Sequence, residues 1–106
     1  MTDTKRTPAE LAELELQAAV YRRLVSHMRA RSDVQNIDLM NLAGFCRNCL
    51  ANWYQEADNE KGGSLTKDGA RELVYGMAYK DWQTKNQTDA SAVQKAAYDK
   101  AKPREH

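Results

Sequence analysis

Apolar residues in this 106-residue chain recur at intervals of three and four, the period of an amphipathic helix. Thr7-Pro8-Ala9-Glu10 predicts the first helix start. It pairs a capping box with proline at the first helical position, where a missing N–H costs nothing. Leu11, Leu14, Ala18, Tyr21, Val25 and Met28 then form one stripe, and Leu16, Val20 and His27 form a second shoulder. A helix with two apolar flanks is expected to meet two neighbours.

A second, longer helix is predicted after a short turn. Its cap is Ser32, Asp33 or Asn36, and it runs unbroken to Ala57. Leu39, Leu42, Ala43, Cys46, Cys49, Leu50, Trp53, Tyr54 and Ala57 make its broad face; Ile37, Met40 and Phe45 lie off that face. Asp58 to Gly63 ends it. A third helix follows Ser64 or Thr66 and reaches Tyr75-Gly76, a short fourth surrounds Trp82, and an alanine-rich stretch over 89–101 follows Thr88 or Asp89. The expected architecture is all-α: a small bundle of four to five helices, the first two an antiparallel hairpin. It forms one domain over 1–106, with 1–6 and 102–106 frayed. Leu14, Tyr21, Val25, Leu39, Leu42, Cys46, Leu50 and Trp53 are the expected core.

Composition narrows the function classes. The net charge is +1 and does not segregate between the halves. Arg22, Arg23, Arg29 and Arg31 are spread around the first helix, so no basic face is expected to meet nucleic acid. No apolar run approaches the roughly 20 residues of a membrane span, and the polar N-terminus has no signal-peptide core. A cytoplasmic protein with reduced thiols is the expectation.

The second predicted helix carries the candidate chemistry. Asn36, Asp38, Asn41, Arg47, Asn48 and Asn52 have poor helix propensity, so something beyond propensity must hold them there. Asn41, Asn48 and Asn52 share one side and are expected to bond to a partner chain or to later helices. With Ile37, Met40 and Phe45 they form a candidate interaction surface, for which a homodimer is expected. Cys46 and Cys49 are the only cysteines. A redox role is disfavoured if Cys46 lies ten residues inside a helix, since a reactive thiol usually sits at a helix N-terminus. A metal site would add His27 as third ligand, but a closed zinc site needs four, and hairpin geometry keeps His27 away from Cys46. Residues 58–69 superficially resemble a calcium loop, but Gly62 and Gly69 replace two essential ligands. No catalytic constellation is evident.

The block HMRARSDVQNIDLMNLAGFCRNCLANWYQEA, followed by TKDGARELVYGMAYKDW, resembles a family of short bacterial proteins known as domain of unknown function 1244. The resemblance covers most of residues 20–87. It implies an all-helical fold in a bacterial cytosol and implies no reaction. The leading expectation is a non-enzymatic, self-associating helical interaction module that needs no cofactor. The alternative is a metal- or thiol-binding protein using Cys46, Cys49 and His27, with zinc or another thiophilic metal.

Overall fold

A computed structural model describes residues 6–101, which form six helices and, among the described residues, no strand. They are α1 (Pro8–Ala30), α2 (Asn36–Ala43), α3 (Arg47–Glu60), α4 (Lys67–Tyr75), α5 (Tyr79–Asn86) and α6 (Ala92–Ala101). Residues 1–5 and 102–106, where the ends were expected to fray, lie outside the described residues.

Local chemistry sets most boundaries. The capping box at Thr7 forms as the sequence predicts: Glu10 N–H donates to Thr7 Oγ1 at 3.1 Å, and Thr7 N–H to Glu10 Oε1 at 2.8 Å. Thr66 caps α4 by accepting from Gly69 N–H at 3.0 Å. Ser91, not Thr88 or Asp89, caps α6, in a second reciprocal box with Gln94 at 3.1 and 2.8 Å.

The long second helix does not form; the structure divides it into α2 and α3. Gly44 adopts φ 79° and closes α2 with its N–H on the Met40 carbonyl at 3.0 Å. This left-handed ending is open to glycine without strain. Cys46 follows in extended backbone, φ −140° and ψ −174°, as the N-cap of α3. The apolar period runs through this break, which is why the pattern reads as one helix.

The expected hairpin of two long helices does not form as such: α1 packs against α4, and it meets α3 through Tyr21, whose ring lies 6.1 Å from that of Tyr54. α4 is the central element, touching α1, α3 and α5, while α6 lies on α2. Ala51 and Ala70 are fully buried where α3 meets α4, so small side chains let the backbones approach. Met28, Leu50, Val74, Tyr75 and Trp82 complete the core, with Tyr21, Leu39 and Phe45 packed against it.

Three expected core residues are solvent-facing instead. Leu14 is exposed because α1 outruns its partner: 23 residues span about 34 Å against about 14 Å for the nine of α4. Leu42, 89% exposed, sits in the last turn of a two-turn helix and points away from core and α6 alike. Trp53 is 41% exposed and stacks on Phe45 at 6.0 Å. Val25, Cys46 and Leu50 are buried as expected.

Arg47 is the one buried charged residue among the described residues, 1% exposed. Its guanidinium donates to four oxygens: Val34 O at 2.8 Å, Asn36 Oδ1 at 3.0 Å, Met28 O at 3.2 Å and Arg31 O at 2.7 Å. It also lies over the Trp82 ring, 4.9 Å from the centroid. Two of those carbonyls belong to the last turn and C-cap of α1, so the cation meets the negative end of that helix. Burial lowers the pKa of Arg47.

Arg47→Lys keeps the charge and loses the fork, leaving acceptors unpaired; a loss of about 2–3 kcal/mol is expected. Leu50→Ala is expected to cost about 2–5 kcal/mol through its cavity. Urea midpoints at unchanged slope measure both.

Candidate functional site

The break at Gly44 turns the polar residues of α2 and the start of α3 towards the later helices. Asn36 Nδ2 donates to the Tyr75 hydroxyl at 3.0 Å, and that hydroxyl donates to Asn48 Oδ1 at 2.7 Å. Asn48 Nδ2 donates onward to the Tyr79 hydroxyl at 3.2 Å. With Asn36 Oδ1 on Arg47, these groups form one connected network. It links α2, α3, α4 and α5. Burial pushes the Tyr75 hydroxyl well above the ordinary tyrosine range, opposed by the hydrogen bond from Asn36.

A cleft of about 510 Å³ opens above this network. Asn36, Asn48 and Tyr79 line its inner side; Thr88, Asp89 and Lys95 line its rim. Gln35 closes one end, donating to Asn86 O at 2.7 Å and accepting from Thr88 N–H at 3.0 Å. The mouth therefore depends on the connection between α5 and α6. Its lining offers hydrogen-bond donors and acceptors.

The structure places the sequence-predicted site residues in three different settings. Met40, Asn41, Phe45 and Asn48 have partners within the chain. Asn41 Nδ2 donates to Gln94 O at 3.2 Å, and Phe45 stacks on Trp53. Ile37 and Asn52 are half-buried, with Ile37 on the cleft wall. Cys46 and Cys49 are both buried, each 6% exposed. His27 is exposed on α1 and does not join them. Among the described residues no three His, Cys, Asp or Glu side chains gather as a metal group. The position of Cys46 is also corrected: it is an N-cap, not a mid-helix residue. Burial pushes its thiol up, against the N–H groups of Cys49 and Asn48, which pull it down.

Sequence reasoning missed two arginines. Arg47 was grouped with the polar residues without its capping role. Arg29, expected on a solvated face, donates through Nε to Val74 O at 3.1 Å and through Nη2 to Leu73 O, closing the end of α4. The available signal was Gly76, whose φ of 76° marks a helix end that needs satisfied carbonyls.

On α1 the exposed shoulder is the outstanding surface. Leu16, Val20 and Leu24 are 64%, 70% and 37% exposed, on a face about 130° from the stripe that enters the core. Glu13 and His27 extend the same face at its two ends, also exposed.

Tyr75 makes stability alkali-sensitive. Its stabilising effect is fully present below the unfolded pKa, about 10, and is lost as pH rises above it, because the unfolded chain then releases the proton first. Melting temperature is expected to fall above about pH 10, and less steeply in Tyr75→Phe. Thermal melts from pH 8 to 11 measure this.

No helix of the described residues is long and apolar enough to cross a membrane. No curated protein matches the sequence. Residues 34–100 match the family described as "Protein of unknown function (DUF1244)". This match covers the network, the cleft and the cysteine pair, and spans more than half of the chain, which therefore belongs to that family of unknown function.

Proposed function

We propose that this protein is a cytosolic, non-enzymatic helical module that self-associates through α1. The observation that carries the reading is the uncovered shoulder Leu16, Val20 and Leu24. The later helices do not cover it: α4 packs on the other stripe, and α6 is spent on α2. The α2 residues are less suited to a partner, because Met40, Asn41 and Asn48 are already engaged within the chain.

A second copy of this chain fits the shoulder by charge as well as shape. The first half of α1 holds Glu10, Glu13 and Glu15; the second half holds Arg22 and Arg23, all exposed. Two α1 helices running antiparallel bring unlike halves together. In a pair centred on Val20, Leu16 of each copy meets Leu24 of the other, and Glu13 meets His27. The intervals 13, 16, 20, 24 and 27 keep these side chains within about 80° of arc, the narrow seam of paired helices. Symmetric two-fold pairs of this kind are the commonest oligomers.

Sedimentation equilibrium tests the reading. A dimer is expected at micromolar concentration. Val20→Glu sets two carboxylates together at the two-fold axis and is expected to weaken dimerisation by more than about tenfold, with helicity unchanged. Leu42→Glu, at an exposed site off the seam, is expected to leave it intact. A monomer at high micromolar concentration would remove the reading.

A further inference from the structure

Two sulfur atoms meet where α2 joins α3, and a third, on Cys46, precedes that of Cys49 by one turn. Cys49 Sγ lies 3.8 Å from Met40 Sδ. Cys46, the N-cap of α3, stands three residues before Cys49 at the start of that helix. Both cysteines are buried and Met40 is half-buried. The break at Gly44 creates this meeting. On one straight helix, Met40 and Cys49 would stand about 13 Å apart along the axis and on opposite sides, since nine residues make two and a half turns. The left-handed turn at Gly44 and the extended Cys46 fold them together instead.

We propose that Met40, Cys46 and Cys49 form a binding site for a soft monovalent metal ion, copper(I). The donor chemistry selects it. Thiolate and thioether ligands favour copper(I), and three sulfurs fall short of the four donors of a closed zinc site. No third His, Cys, Asp or Glu joins the pair among the described residues, so harder ions lack the ligands they prefer. The spacing agrees. Two sulfurs each about 2.3 Å from one metal stand about 3.8–4.0 Å apart at tetrahedral to trigonal angles, and Met40 and Cys49 are 3.8 Å apart.

Binding breaks two S–H bonds, forms two copper–thiolate bonds and one copper–thioether bond, and releases two protons to solvent. The copper oxidation state does not change. The site then carries a net charge of minus one. Arg47, the next residue, is buried with carbonyl and amide oxygens as its hydrogen-bond partners.

The test titrates reduced, full-length protein with copper(I) under anaerobic conditions against a chromogenic copper(I) chelator. One ion per chain is expected, with thiolate-to-copper charge-transfer absorption and loss of thiol labelling. Cys46→Ala and Cys49→Ala should each abolish stoichiometric uptake. Met40→Leu conserves volume, so the fold should persist by circular dichroism while affinity falls about tenfold or more. Val20→Glu should bind copper like the unmodified chain, which separates this site from the self-association reading. Sub-stoichiometric uptake, one ion per two chains, affinity unchanged in Met40→Leu, or equal retention of zinc would each overturn the proposal.

Discussion

The guanidinium of Arg47 is the joint on which the other elements depend. It is the first residue of α3, yet its partners lie on the end of α1, the α1–α2 turn and the side chain of Asn36. A charge at 1% exposure is costly unless its donors are satisfied. Here four oxygens and the face of Trp82 serve in place of a carboxylate for the two terminal nitrogens, while the buried Nε has no hydrogen-bond partner among the described residues. The geometry explains why the second predicted helix is divided. A helix continuing straight from α2 would leave Arg47 on its side, unable to reach back to Met28 and Arg31. The sharp turn at Gly44 sets the start of α3 against the end of α1.

Arg29 repeats the device one step further on. It leaves α1 to close the carbonyl end of α4, under Gly76, where a Cβ would stand 2.9 Å from its Nε. Two cations thus connect three helices in sequence: α3 holds the end of α1, and α1 holds the end of α4. Helix ends are otherwise places where unsatisfied carbonyls must face water. By pairing them with arginines, a chain with a modest apolar core fixes helix directions that its hydrophobic contacts alone specify weakly. The only ion pair among the described residues, Arg31 with Asp33 at 2.9 Å, is exposed and local, and contributes little to this.

The sequence made helices legible where side chains act on their own backbone. The Thr7 box, the Thr66 cap and the glycine ending at Gly76 are local devices, and all appear in the structure. Tertiary choices were not legible to the same degree. Leu42, Cys46 and Trp53 follow one helical period, so periodicity could not report that a single glycine divides them between two helices and re-aims the second. Leu14 continues the stripe of Val25, and nothing local says that α4 is too short to cover both. The unusual density of Asn, Asp and Arg over 36–52 did signal that polar partners were waiting. Which partners, Tyr75, Tyr79, Gln94 and the end of α1, required the fold.

Gln94 shows how a thinly apolar helix can still be held. Its side-chain oxygen accepts from Ser91 N–H and helps start α6; its side-chain nitrogen reaches both oxygens of Asp38 at 3.0 and 3.2 Å; its carbonyl accepts from Asn41. The same residue that nucleates α6 attaches it to α2. Helix formation and docking are then one event, because undocking removes a contact that orients the cap. Val93, 79% exposed, adds almost no burial to oppose release. The hold of α6 on α2 therefore rests in large part on these polar contacts, and local opening is expected to begin there while the core beneath Arg47 stays folded.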